Sequence, residues 1–207
     1  MEVSGMVYPP NRPLERTMKP SQVPVLYDFL FFIEANKNGE VILGSSNVAG
    51  TYWEGTLFHY KNFEFATNNE YNSYFISNST VSDAKFIQNN YVLLAEDNGH
   101  LKLLNVPEHG QQAMECKYDI EKDGGVTQLT VWDNNKFATC TGACINLYDV
   151  NESSIQSNVI FRNYHTNTIL SIDANKLDEN LFVSASADRK ACIWDRRMEV
   201  PATGNII

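Results

Sequence analysis

Val126-Thr127-Gln128-Leu129-Thr130-Val131 has two counterparts in the chain, Val81-Ser82-Asp83-Ala84-Lys85-Phe86 and Ile169-Leu170-Ser171-Ile172-Asp173-Ala174. The three start 45 and then 43 residues apart, and each is apolar at its first, fourth and sixth positions. Short runs of this kind, rich in apolar residues and bounded by polar ones, read as strands. Polar turns follow at Asn89-Asn90, Asn134-Asn135 and Glu179-Asn180, and then second strands at Tyr91 to Ala95, Lys136 to Cys140 and Leu181 to Ala185. Third strands run Leu57 to Tyr60, Leu101 to Leu104, Ile145 to Tyr148 and Cys192 to Trp194, and their bulky last residues are spaced by 44, 44 and 46. A unit recurring at this period cannot bury its apolar face alone, so successive units must stack on one another.

The rest of the composition agrees with a packed β domain. The chain has 207 residues, 43% hydrophobic and 20% charged, which is enough for a proper core and excludes fibrous or wholly disordered readings. Residues 1–24 hold five of the seven prolines, at 9, 10, 13, 20 and 24, and read as a mobile Pro-rich arm. From Val25 onward no helical period persists beyond a turn or two.

The net charge is −9, and residues 61–160 carry −7 of it, with six basic against thirteen acidic side chains. Such a field repels a phosphate backbone, so no direct nucleic-acid partner is expected and a basic protein segment fits better. The longest apolar stretch, Val25 to Ile33, is interrupted by Asp28 and is about half of a bilayer crossing, so no membrane partner is expected either. The amino terminus lacks a basic, apolar, small-residue succession. The four cysteines are then expected as free thiols in a reducing compartment.

The last two third strands close on Tyr148-Asp149 and Trp194-Asp195. With the period, three strands per unit and a fourth in the linking segment, the chain resembles the WD-repeat family. The resemblance implies an all-β, WD40-type β-propeller over residues 25–207, with repeats at about 25–61, 62–106, 107–150 and 151–197. It also implies seven blades, for which roughly 300 residues would be needed at this period. Four blades therefore read as an incomplete ring, either a truncated isoform or fragment or a ring completed by another chain. Its open edges favour association.

In WD repeats a hydrogen-bonded chain runs from a Trp indole through Ser or Thr and His to Asp. The last repeat offers His165 before its first strand, Ser184 and Ser186 on its second, Asp188 in the next turn and Trp194 closing its third. The sequence leaves the choice of serine open; the set is taken as His165, Ser184, Asp188 and Trp194. The same residue types could make a hydrolytic triad, but no G-x-S-x-G elbow is present and no catalytic residue is expected. Cys140 and Cys144 form a C-x3-C pair with no His at ligand spacing, and Cys116 and Cys192 fall in other units. Buried core thiols are expected in place of a metal site, and no cofactor is expected. Trp194-Asp195-Arg196-Arg197 also matches the W-D-x-R pattern by which some WD proteins dock on a ubiquitin-ligase adaptor through Trp194, Asp195 and Arg197.

The first repeat is different. Val41 to Leu43 runs into Gly44-Ser45-Ser46 and then, through Gly50, into Trp53-Glu54-Gly55-Thr56-Leu57. A Trp in a polar, Gly-flanked connection is a large rigid anchor if exposed and a blade-filling aromatic if buried. This pattern resembles the methylosome branch of WD-repeat proteins, the non-catalytic partners of type II protein arginine methyltransferases. The likeness continues in order through Val81-Ser82-Asp83-Ala84, Leu94-Ala95-Glu96-Asp97-Asn98-Gly99, Cys116-Lys117-Tyr118 and Ser184-Ala185-Ser186-Ala187-Asp188, over residues 30–200. It implies partner contacts at Trp53, Glu54 and Gly55. It further implies Arg-rich protein substrates such as histones and Sm proteins, no enzymatic activity, and residence in cytoplasm and nucleus. Divergent strand residues suit an insect member of the branch.

Overall fold

The same irregularity sits in the same place in four sheets. First and second strands pair antiparallel with a register shift between Leu30 and Phe32, Val81 and Asp83, Val126 and Gln128, and Ile169 and Ser171. Leu30-Phe31-Phe32-Ile33-Glu34-Ala35 is thus a fourth copy of the repeated strand, displaced 51 residues from Val81. Ile33, Ala84, Leu129 and Ile172 occupy one column of the fold, and Glu34, Lys85, Thr130 and Asp173 the next.

The computed structural model describes residues 23–48, 53–88, 90–107, 111–121, 124–133, 135–151, 154–198, 200–201 and 203–206. Most of the Pro-rich arm, Gly50 and the turn residues Asn89 and Asn134 lie outside the described residues. Blade 1 comprises β1 (Phe29–Ala35), β2 (Val41–Asn47), β3 (Glu54–Tyr60) and β4 (Ser73–Ser77), with a five-residue helix α1 (Phe63–Thr67) before β4. Blade 2 comprises β5 (Val81–Ile87), β6 (Tyr91–Glu96), β7 (His100–Asn105) and, past β8 (Gln112–Ala113), β9 (Glu115–Glu121). The two residues of β8 pair in parallel with β4 and cover the outer edge of blade 1 there. Blade 3 is β10 (Val126–Asp133), β11 (Lys136–Thr141), β12 (Cys144–Asn151) and β13 (Ser154–Phe161). Blade 4 is β14 (Ile169–Ala174), β15 (Leu181–Ser186), β16 (Ala191–Asp195) and β17 (Thr203–Ile206).

Each blade is an antiparallel meander, and neighbouring blades meet chiefly through their first strands, β1 on β5, β5 on β10 and β10 on β14. The result is an incomplete WD40-like propeller without a closed ring. Blades and sequence repeats are out of phase by one strand. The fourth strand of a blade comes from the segment that opens the next repeat: β4 completes blade 1 yet lies within 62–106. Among the described residues no helix is long and apolar enough to cross a membrane.

The core consists of sheets of side chains between blades. Leu93, Leu101 and Leu103 of blade 2 meet Leu129, Phe137 and Tyr148 of blade 3. Ala138, Cys140 and Leu147 of blade 3 meet Ile172, Phe182 and Trp194 of blade 4. Polar ties cross the same seams. The Asp83 carboxylate accepts from the Leu129 amide at 2.9 Å, the Lys85 ammonium donates to Glu34 at 2.9 Å, and the Thr130 hydroxyl accepts from the Ala174 amide at 3.0 Å.

Candidate functional site

His165, Ser184, Asp188 and Trp194 come from four different stretches of blade 4, and the fold brings all four together. The Trp194 indole N–H donates to Ser184 Oγ at 2.7 Å. Ser184 Oγ lies 2.8 Å from His165 Nε2, and His165 Nδ1 lies 3.0 Å from Asp188 Oδ2. With the indole donating, the serine hydroxyl donates its hydrogen bond to Nε2, which leaves the ring proton on Nδ1 facing the carboxylate. Asp188 also accepts from the amides of Thr166 and Lys190, at 2.9 Å each. Burial acts to raise the Asp188 pKa, but the Thr166 amide, the His165 ring and the Lys190 amide together outweigh it and hold the carboxyl at about 2.

Ser186 does something else. Its hydroxyl is within 3.0 Å of the carbonyls of Asn167 and Thr168 and accepts from the Asp188 amide at 3.1 Å, so it shapes the turn that carries Asp188. Ser184 is only 2% exposed and its oxygen is held by both the indole and the imidazole. No acyl carbon can approach it, so the three residue types of a hydrolytic triad act here as ties between strands.

The other blades replace this chain, and in blade 2 the replacement is ionic. Register places Ser77, Leu94, Asn98 and Leu104 where blade 4 has His165, Ser184, Asp188 and Trp194. The polar work moves two residues along β6 to Glu96, which is fully buried. Its carboxylate accepts from the Ser77 hydroxyl at 2.6 Å and is paired with the Lys102 ammonium, which also stands 5.7 Å from the centre of the Phe75 ring. His100 and Asp119, 2.7 Å apart, extend the cluster outward. Sequence reading missed this set. The signal was present as a Glu at the end of an otherwise apolar strand, Tyr91-Val92-Leu93-Leu94-Ala95-Glu96, with a Lys six residues on.

Trp53 stands at the entry to β3 and is 53% exposed, so it fills no blade core. Glu54 is half-buried beside Tyr27, whose phenol is pushed up by burial and by that carboxylate. Gly55 is buried: a Cβ there would sit 2.8 Å from Ser46 Oγ and 2.9 Å from the Ser79 carbonyl. Its lack of a side chain lets blade 1 close on blade 2 while the indole of Trp53 points away from the core packing. The Ser46 hydroxyl completes that seam by accepting from the Val81 amide at 3.0 Å.

Trp194, Asp195 and Arg197 do not present one surface. Trp194 is inside the blade, whereas the Arg197 side chain is 64% exposed and gripped by Asp195 through two bonds of 2.8 and 2.5 Å. Those bonds from Arg197 hold the Asp195 carboxyl down at about 2. The cysteines divide as well. Cys140 and Cys192 are buried core thiols, and burial, with Asp83 nearby, pushes Cys140 up to about 12. Cys144 is half-buried, and Cys116, also expected in the core, is exposed on outer strand β9, beside the register shift that pairs Tyr118 with Leu103 but Cys116 with Leu104.

No protein-family profile matches the chain. The chain is 21% identical over 174 residues to methylosome protein WDR77 of Xenopus laevis, a match covering 83% of this chain and 51% of that protein. It thus spans about half the length of the curated relative it matches. The likeness supports the WD-repeat assignment reached from the period, the register and the hydrogen-bonded set of blade 4.

Proposed function

We propose that this chain is a non-catalytic interaction scaffold of an arginine methyltransferase complex, binding the enzyme through Trp53 and helping to present Arg-rich substrates such as histones and Sm proteins. A place in cytoplasm and nucleus belongs to the same reading, as does kinship with the insect member called Valois. The observation that carries it is the exposed indole of Trp53, just before β3 and two residues ahead of a glycine that the seam itself requires. A large aromatic presented on a rigid strand end is the kind of residue that dominates a protein interface. The similarity to a methylosome protein is in keeping with such a partner, and the acidic stretch 61–160 makes a field that attracts basic segments and fades with salt. Trp53→Ala is expected to reduce capture of a type II arginine methyltransferase at least tenfold in a pull-down, with an unchanged far-ultraviolet circular dichroism spectrum. Undiminished capture by the folded variant removes the anchor.

A second reading, a substrate receptor of a ubiquitin ligase, is favoured by one observation: the Arg197 guanidinium stands in solvent at the end of blade 4, fixed in place by Asp195. Arg197→Ala abolishes adaptor binding under this reading and leaves methyltransferase capture intact under the first.

A further inference from the structure

The three seams inside the chain repeat one pairing of positions. Ile42 and Ala84 share a buried cluster where blade 1 faces blade 2, Leu93 and Leu129 share one at the next seam, and Ala138 and Ile172 at the last. In each pair the first residue lies on the second strand of one blade and the other on the first strand of the blade after it. Val81, Val126 and Ile169 open the same first strands and join the same clusters, and all of these side chains are buried. Register continues the columns to both ends of the stack. Val183 follows Ile42, Leu93 and Ala138, while Leu30 and Ile33 precede Val81 and Ala84. There the burial stops: Leu30 is 60%, Ile33 62% and Val183 47% exposed.

The rest of each face is consistent with a seam left open. Ala66 of α1 and Tyr71 pack on Val41, Phe58 and Tyr60, so the open part of blade 1 is β1, and first strands are where the blades of this chain chiefly meet. On blade 4 the bulge residue Leu170 takes the place of Thr127, whose hydroxyl donates to the Ile169 carbonyl across the seam between blades 3 and 4 at 3.3 Å. That position faces the following blade, and Leu170 is exposed in it. Large aliphatic side chains gathered on two such faces mark them as surfaces for association.

We propose that a second copy of this chain covers both faces: β1 of one copy packs on β14 and β15 of the other, and the reverse contact closes a ring of eight blades. A head-to-tail contact closes a ring when its rotation allows, and eight blades lie within the range of propellers. The internal seams name the occupant, because Leu30 and Ile33 offer Val183 what Val126 and Leu129 offer Leu93. Ile33 with Val183 is no larger than Leu93 with Leu129, a pair that a seam of this fold already holds. Charge opposes the contact. Where Glu34 accepts from Lys85 at the first seam, Asp173 would face Glu34 of the other copy, and each copy carries −9. Salt therefore strengthens this association. The contact uses none of Trp53, Glu54 and Gly55, so it does not rest on the scaffold reading above.

The test is light scattering of the full chain after size exclusion, over a range of protein and salt concentrations. Twice the mass of the chain is expected, with tighter association at high salt. Ile33→Asp and Val183→Lys each alter a side chain that is exposed in the single copy, so the far-ultraviolet circular dichroism should stay unchanged while each weakens the dimer at least tenfold. An equimolar mixture of the two variants, carrying different fluorophores, should form mixed dimers again. One of its two contacts is unaltered and the other sets an aspartate against a lysine, whereas a contact between like faces gives no such rescue. Asp173→Lys, opposite Glu34, should tighten the dimer severalfold, and a damaged fold cannot gain affinity. A chain that stays single at every concentration, species that keep growing beyond two copies, a dimer indifferent to either face's substitution, a mixture without rescue, or Asp173→Lys without a gain overturns the proposal.

Discussion

Blade 4 and blade 2 have the same four-strand meander and the same register, yet their strands are tied by different chemistry. Blade 4 uses a string of mostly neutral hydrogen bonds from Trp194 to Asp188, and blade 2 uses the buried Glu96–Lys102 pair with Ser77. Both leave a bulky apolar side chain at the end of the third strand, Trp194 or Leu104. The architecture therefore requires a filled seam and a satisfied polar tie near the blade rim, and not one particular set of residues. Even the turn is kept: Asn98 accepts from the His100 amide at 3.1 Å as Asp188 accepts from that of Lys190.

The largest expected effect tests the packing half of that statement. Trp194 touches Phe161, Tyr164, His165 and Phe182, with ring centroids at 5.0 to 6.1 Å. Trp194→Ala should cost about 3–5 kcal/mol, since it opens a cavity and takes the donor from Ser184. Urea unfolding at constant slope measures it, and a loss under about 1 kcal/mol would show that the blade is not held by this residue.

The ionic tie should behave differently. Lys102→Met alone strands a buried carboxylate and should cost about 3 kcal/mol, whereas Lys102→Met with Glu96→Leu should recover most of that loss, because the desolvation cost leaves with the charges. A double variant no better than the single one would contradict the comparison. The smallest effect is confined to acid. Because Asp188 sits at about 2 in the fold against an ordinary 3.8, the unfolded chain binds the proton more tightly. That contribution is whole above pH 3.8 and disappears as the pH falls towards about 2. Asp188→Asn should flatten this part of the stability profile, and the wild-type slope persisting in the variant would place the titration elsewhere.

Much of the fold was legible. The period fixed the third strands to within a few residues, because bulky side chains must recur wherever two blades close on each other. The first strand of blade 1 escaped, since α1 lengthens its unit to a spacing of 51 and Phe32 stands where the other copies have Asp83, Gln128 and Ser171. Its exposure is informative too. Ile33 is 62% exposed in a column whose other members, Ala84, Leu129 and Ile172, are buried against a preceding blade.

Strand order, repeat length, the acidic balance and the residue set of blade 4 were determined by the chain as written, because hydrophobic periodicity and turn residues act locally. Which serine meets the indole was not. Ser184 and Ser186 point to the same side of β15, and only the pairing of Phe182 with Trp194 across to β16 brings Oγ of the first within 2.7 Å of the ring nitrogen. Tertiary structure likewise decided that Gly55 closes a seam, that Trp53 stays in solvent and that Glu96 finds a lysine. Each depends on the distance between strands that are far apart along the chain, and only packing sets that distance.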